Sequence, residues 1–167
     1  MRRVAGVTRL PDGFGLSFNF SYSSAAPFSA FLGGIDLNGD GTTNDLLPGT
    51  TVNAFNRGMG RADLERLVAQ FNQSFANAGS PLTLPAQYSF GHSFHSLDVR
   101  LSRSFAFGDR WSLSLIGEAF NLYNKANLSG YSGDLKSAAF GQPTSRLTQI
   151  FGSEGPRAFQ VGTKVRF

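Results

Sequence analysis

The chain has no cysteine, which removes disulfide frameworks, thiolate metal centres and cysteine nucleophiles. It also has no run of about 20 consecutive apolar residues, so no helix of it can span a bilayer. Strands escape that exclusion, since they cross with only about 9 to 11 alternating residues. The first residues are not expected to be a secretory leader either. Met1, Arg2 and Arg3 supply a basic start, but Gly6, Thr8 and Arg9 interrupt the apolar core that should follow, so a mature segment or a fragment is expected. Charged residues make up only 16% of the chain, and its 15 Lys and Arg are scattered, which argues against a nucleic-acid partner. Phenylalanine and glycine are plentiful, 17 and 20 in 167 residues.

Those aromatics follow a two-residue rhythm, which puts successive side chains on opposite faces of a strand. Leu16, Phe18, Phe20 and Tyr22 alternate with Ser17, Asn19 and Ser21. Leu97, Val99, Leu101, Phe105 and Phe107 alternate with Asp98, Arg100, Ser102 and Ser104, while Arg103 falls on the oily side. A cation there costs about 2 to 4 kcal/mol at a bilayer midplane but about 0 to 1 near the interface, so Arg103 is expected at a membrane edge. Trp111, Leu113 and Leu115 face away from Ser112, Ser114 and Glu118, until the phase blurs at Phe120 and Leu122, where a bulge or a strand end is expected. Phe159, Val161, Thr163, Val165 and Phe167 close the series against Gln160, Gly162, Lys164 and Arg166. Residues 2–10 make the fifth and least regular run.

The connections alternate in length. Pro11-Asp12-Gly13 and Gly108-Asp109-Arg110 are tight reversals, whereas residues 29–92 and 125–156 are long. Short, long, short, long is the scheme of a transmembrane barrel with tight periplasmic turns and long extracellular loops. The expected fold is therefore all-β: about five strands of an antiparallel transmembrane β-barrel, apolar face to lipid. Asn19, Asp98, Arg100, Glu118, Lys164 and Arg166 are the polar residues expected to face its lumen, with Arg100 and other lumen residues as partners for the two carboxylates. Five strands cannot close, so a larger barrel is implied.

Two loop features invite a chemical reading. The stretch Asp36-Leu-Asn38-Gly-Asp40-Gly41 begins like a calcium loop, whose alternate oxygen ligands converge around a glycine turn. Its position twelve, however, is Leu47 where an acidic ligand is needed. Calcium held by Asp36, Asn38, Asp40 and Asp45 stays open beside the simpler reading, a hydrated Asn/Asp/Gly turn. Leu64, Leu67, Val68, Phe71 and Phe75 recur at helical spacing and predict an amphipathic helix over residues 61–78. His92 and His95, three apart at a strand start, should point to opposite faces and act as solvated residues at the barrel mouth, not as a metal pair. No G-x-S-x-G elbow accompanies the abundant serines, and no enzyme is expected.

Six segments in order resemble the Oar-like, carboxypeptidase-regulatory-type branch of TonB-dependent receptors. They are Ala25-Ala-Pro-Phe28, the stretch from Asp36 to Asp45, His95 to Phe105, Ile116-Gly-Glu-Ala-Phe-Asn-Leu-Tyr-Asn124, Phe140-Gly-Gln-Pro-Thr144, and Phe159 to Phe167. The resemblance implies the C-terminal part of a 22-stranded barrel, without its plug, in the outer membrane of a Gram-negative bacterium. The final aromatic strand would serve as the assembly signal. The implied activity is uptake of a siderophore, glycan, peptide or similar solute, energised by TonB through the absent plug, and no cofactor is implied beyond the calcium considered above. A passive porin-like or structural barrel and a secreted soluble β-sandwich binding module are the alternatives.

Overall fold

A computed structural model describes residues 1–74, 81–147 and 156–167. In chain order the elements are β1 (Arg2–Arg9), a 3-10 turn (Pro11–Gly13), β2 (Phe14–Ser23), β3 (Phe31–Leu32), β4 (Asp45–Leu46), α1 (Arg61–Ser74), β5 (Phe94–Phe107), β6 (Trp111–Phe120), β7 (Leu128–Tyr131), β8 (Pro143–Arg146) and β9 (Ala158–Arg166). The chain divides into two compact units. Residues 1–24, 93–127 and 146–167 form one, and residues 25–92 and 128–145 the other.

The first unit is one antiparallel sheet in the order β1-β2-β5-β6-β9. Tight turns set β1 beside β2 and β5 beside β6, whereas β2–β5 and β6–β9 pair across the long connections. At the first, Asp12 and Gly13 both adopt positive φ, and the Leu10 amide donates to the Phe14 carbonyl at 2.8 Å. A Cβ on Gly13 would lie 2.8 Å from the Ser104 carbonyl oxygen, so this turn needs glycine for space as well as for its backbone angle. The 14 residues of β5, at about 3.3 Å each and the usual barrel tilt, more than span an apolar band about 25 Å tall.

The register is unbroken from Ser112 to Phe120 against β9. Beyond Phe120 the pairing with β5 slips. Extending the Val99–Ala119 pair would set Asn121 opposite Leu97, yet it is the Leu122 amide that donates to the Leu97 carbonyl, at 2.8 Å. Asn121 is the extra residue, at φ 47°, and its insertion is why the alternation blurs at Phe120 and Leu122.

The second unit carries a conventional hydrophobic core. Phe28, Ala30, Leu32, Leu47, Phe55, Leu64, Leu67, Val68, Tyr88, Leu135 and Phe140 are buried together. Helix α1 contributes Leu64, Leu67 and Val68 from one face, and Asp63 reaches back to accept from the Gly60 amide at 2.9 Å, half of a capping box. Phe75 and the rest of the expected helix to residue 78 reach beyond the described residues. The two long connections therefore do not behave as separate loops. Phe31 exchanges backbone hydrogen bonds with Gly133 and Leu135, and the Gly33 amide donates to Asp134 Oδ1 at 2.9 Å. Two short pairs, β3 with β4 and β7 with β8, complete this unit.

Candidate functional site

The site is the sheet itself, because its two faces are chemically opposite and the apolar one is exposed, where a water-soluble domain would bury it. Residues paired across neighbouring antiparallel strands share a face. On one face the rows read Gly6, Phe18, Val99, Ala119 and Phe159, then Thr8, Leu16, Leu101, Gly117 and Val161. On the other they read Ala5, Asn19 and Asp98, then Val7, Ser17, Arg100, Glu118 and Gln160. The apolar face is open: Phe18 is 40%, Phe159 69% and Val161 84% exposed. On the polar face Ser21 and Ser96 are buried, while Arg100, Gln160, Lys164 and Arg166 are exposed. Among the described residues, Phe94 is the one buried hydrophobic residue of this unit. No second sheet of comparable size is present among the described residues to cover the oily side, as a β-sandwich would require.

Aromatic side chains rim that face at both ends. Near the short turns Trp111 packs on Phe167 with ring centroids 5.5 Å apart, and Phe107 is the cross-strand partner of Trp111. At the opposite end Tyr22 pairs with His95, and the His95 ring meets that of Tyr123. Arg103 sits in the row of Phe14, the first residue of β2, with its guanidinium 4.7 Å from the Phe14 ring and 4.9 Å from that of Phe105. The cation thus lies over aromatic faces beside a turn.

All six polar residues singled out from the sequence lie on the polar face. Asn19 pairs with Asp98, and Arg100 with Glu118. Lys164 and Arg166 stand opposite Ser114 and Ser112. Arg100 Nη1 lies 3.6 Å from Glu118 Oε1, a half-exposed pair worth at most about 1 kcal/mol. Of the expected partners, Arg100 and other polar-face residues, Arg100 goes to Glu118, while the Oδ1 of Asp98 accepts from the Asn121 amide at 2.9 Å and from the Ser96 hydroxyl at 3.4 Å. It thereby stabilises the extra residue at the end of β6. Asn121 in turn clasps the backbone of Lys125 through both side-chain atoms. Sequence pattern alone missed this role, although an asparagine placed where the alternation fails is a signal for positive φ.

In the other unit, the carboxylates of residues 36–45 are drawn inward by backbone amides. Asp36 accepts from Gly39 and Gly41, Asp40 from Thr42, and Asp45 from Leu37 and Asn38. The Asn38 side-chain oxygen accepts from the Asp40 amide. Leu47, the twelfth residue of the motif, is fully buried in the core. The Thr42 hydroxyl and amide, with Asn38, hold the Asp40 carboxyl below its ordinary range. His92 packs its ring on Tyr131, whose hydroxyl is buried without a hydrogen-bond partner and has its pKa raised by that burial. His92 and His95 thus belong to separate units and contact different tyrosines. Among the described residues no three His, Cys, Asp or Glu side chains gather as a metal site.

The family described as an outer membrane beta barrel domain matches residues 3–160 of the chain. Neither the comparison with curated proteins nor that with solved structures gave a match.

Proposed function

The chain belongs to the outer membrane β-barrel domain family, and from that premise we propose that it builds part of the wall of a TonB-dependent uptake barrel. The carrying observation is the inverted sheet, apolar and exposed on one face, polar on the other, with tight turns at one end. In lipid the unpaired edges of β1 and β9 would each cost several kcal/mol per orphaned backbone group, so both edges join further strands of a closed barrel. The six segments that resemble TonB-dependent receptors support the energised form of transport, with a plug domain moved by TonB from the inner membrane of a Gram-negative cell. The wall would guide a solute or hold the plug through Asn19, Asp98, Arg100, Glu118, Lys164 and Arg166, and no covalent bond of the solute changes.

A panel of labelled siderophores, glycans and peptides, offered to cells with and without the gene, tests the reading. Deletion and dissipation of the inner-membrane proton gradient are expected to abolish accumulation of the same solute. Accumulation that needs the gene but survives dissipation would replace this reading with a passive pore.

A further inference from the structure

The polar face is not electrically even. Among the paired strand residues described, Arg3, Arg9, Arg100, Lys164 and Arg166 share it with only two carboxylates, Asp98 and Glu118, while Asp12 and Asp109 lie in the short turns outside these rows. Both carboxylates are engaged, Glu118 by Arg100 and Asp98 by Asn121 and Ser96. They lie in the rows toward the long connections. The rows toward the short turns hold Arg9, level with Gly15, Ser102, Ile116 and Gly162, then Lys164, level with Ser104 and Ser114, then Arg166, level with Ala106 and Ser112. Arg9, Lys164 and Arg166 are exposed and make no ion pair among the described residues. Apart from Ile116, their neighbours are small hydroxyls, glycines and alanine, which leave the charges uncovered.

Lys164 and Arg166, two residues apart on one strand face, are about 7 Å from each other along the chain, inside the physiological Debye length of about 8 Å. Backed by a low-dielectric bilayer, such a stretch focuses its field into the water it faces and concentrates counter-ions there. We infer that the short-turn end of this wall is an anion-attracting zone of the passage, suited to solutes bearing carboxylate, phosphate or sulfonate groups. This rests on the proposed function, which makes the polar face the water-filled one, and adds to it the charge class of the cargo.

The absence of cysteine supplies the test. Ser114→Cys places a thiol beside Lys164, and Ser104→Cys, whose parent hydroxyl lies 2.9 Å from that of Ser114, is the second probe. Val161→Cys reports the opposite face. In isolated outer membranes holding the whole barrel, each thiol is modified with a sulfonate-bearing and with a trimethylammonium-bearing thiosulfonate reagent. The ratio of the two rates, divided by that for a small free thiol, cancels the reactivity of the cysteine itself.

The ratio in Ser114→Cys or Ser104→Cys is expected to favour the anionic reagent by about tenfold. It should fall part-way when Lys164→Gln is combined with either probe, and close to one when Arg9→Gln and Arg166→Gln are added. A ratio near one before those substitutions, or one unmoved by them, overturns the inference while a silent Val161→Cys leaves the transport reading standing. A reversed ratio, as an acidic protein segment seated on the cations would give, overturns it likewise. Reactive Val161→Cys with silent Ser114→Cys and Ser104→Cys overturns the face assignment and the transport reading together.

Discussion

The two units of this chain solve opposite solvation problems with the same residue types. In the unit of residues 25–92 and 128–145, phenylalanine is interior: Phe55 and Phe140 are fully buried, and Phe28 nearly so. In the sheet, the apolar face leaves Phe18, Phe107, Trp111, Phe159 and Val161 exposed, and Phe94 is the one buried hydrophobic residue among the described ones. Water drives the first arrangement, since each buried large apolar side chain contributes about 1.5 to 3 kcal/mol. It would penalise the second. The sheet is a stable design only where hydrocarbon replaces water on its apolar face. The contrast teaches that composition says little about environment, whereas the face on which the aromatics gather, and whether other protein covers it, says a great deal.

The sharpest way to separate the units is to damage each through its own solvent. Phe55→Ala removes a ring from a closed core and is expected to destabilise the second unit by about 3 to 5 kcal/mol, read as lost hydrogen-exchange protection in residues 25–92. Retained protection would mean that this core is not what holds the unit together. In the sheet, Val161→Arg sets a charge on the open apolar face and should cost about 2 to 4 kcal/mol if that position is deep in lipid. Gln160→Arg, one residue away on the polar face, should cost close to nothing. Equal effects of the pair on folding into lipid vesicles would erase the distinction between faces.

Smaller effects sharpen the picture. Arg103→Leu is expected to change barrel stability by no more than about 1 kcal/mol, as suits a cation already at an interface, and a gain of several would move it to the midplane. Smallest is the response of residues 36–45 to acid. The Asp40 carboxyl titrates below its ordinary value because Thr42 and Asn38 hydrogen-bond to its charged form. A depressed folded-state pKa stabilises above the unfolded value and is lost as pH falls through the folded one. Amide exchange at Thr42 should therefore accelerate only when the pH drops below the usual carboxylate range, and Asp40→Asn should abolish that step. Because these carboxylates already accept amides and Leu47 is buried, millimolar calcium is expected to leave the melting temperature of the unit unchanged. A rise on adding calcium would make the motif a calcium site.

The sheet was legible because alternation is local: Leu16 to Tyr22 or Phe159 to Phe167 declares its faces without reference to any other strand. The turns at Pro11–Gly13 and Gly108–Arg110 were legible for the same reason. The second unit was not, apart from its helix, since it is made by pairs far apart in sequence. Gly33 and Asp134, 101 residues apart, meet through one hydrogen bond, and nothing in either segment announces the other. The polar face was legible as a set of residues, but its pairings were not. That Asp98 serves Asn121 in place of Arg100 follows from a one-residue slip in the ladder, which pattern registers only as a loss of phase.

Trp111 offers the most direct measurement. It is the chain's single tryptophan, and it lies on the apolar face beside Phe107 and Phe167. With the barrel reconstituted in vesicles, its fluorescence should be quenched strongly by lipids brominated near the headgroup end of the chains and weakly by aqueous acrylamide. Ready quenching by acrylamide with no response to the brominated lipids would contradict the claim that this face meets the membrane.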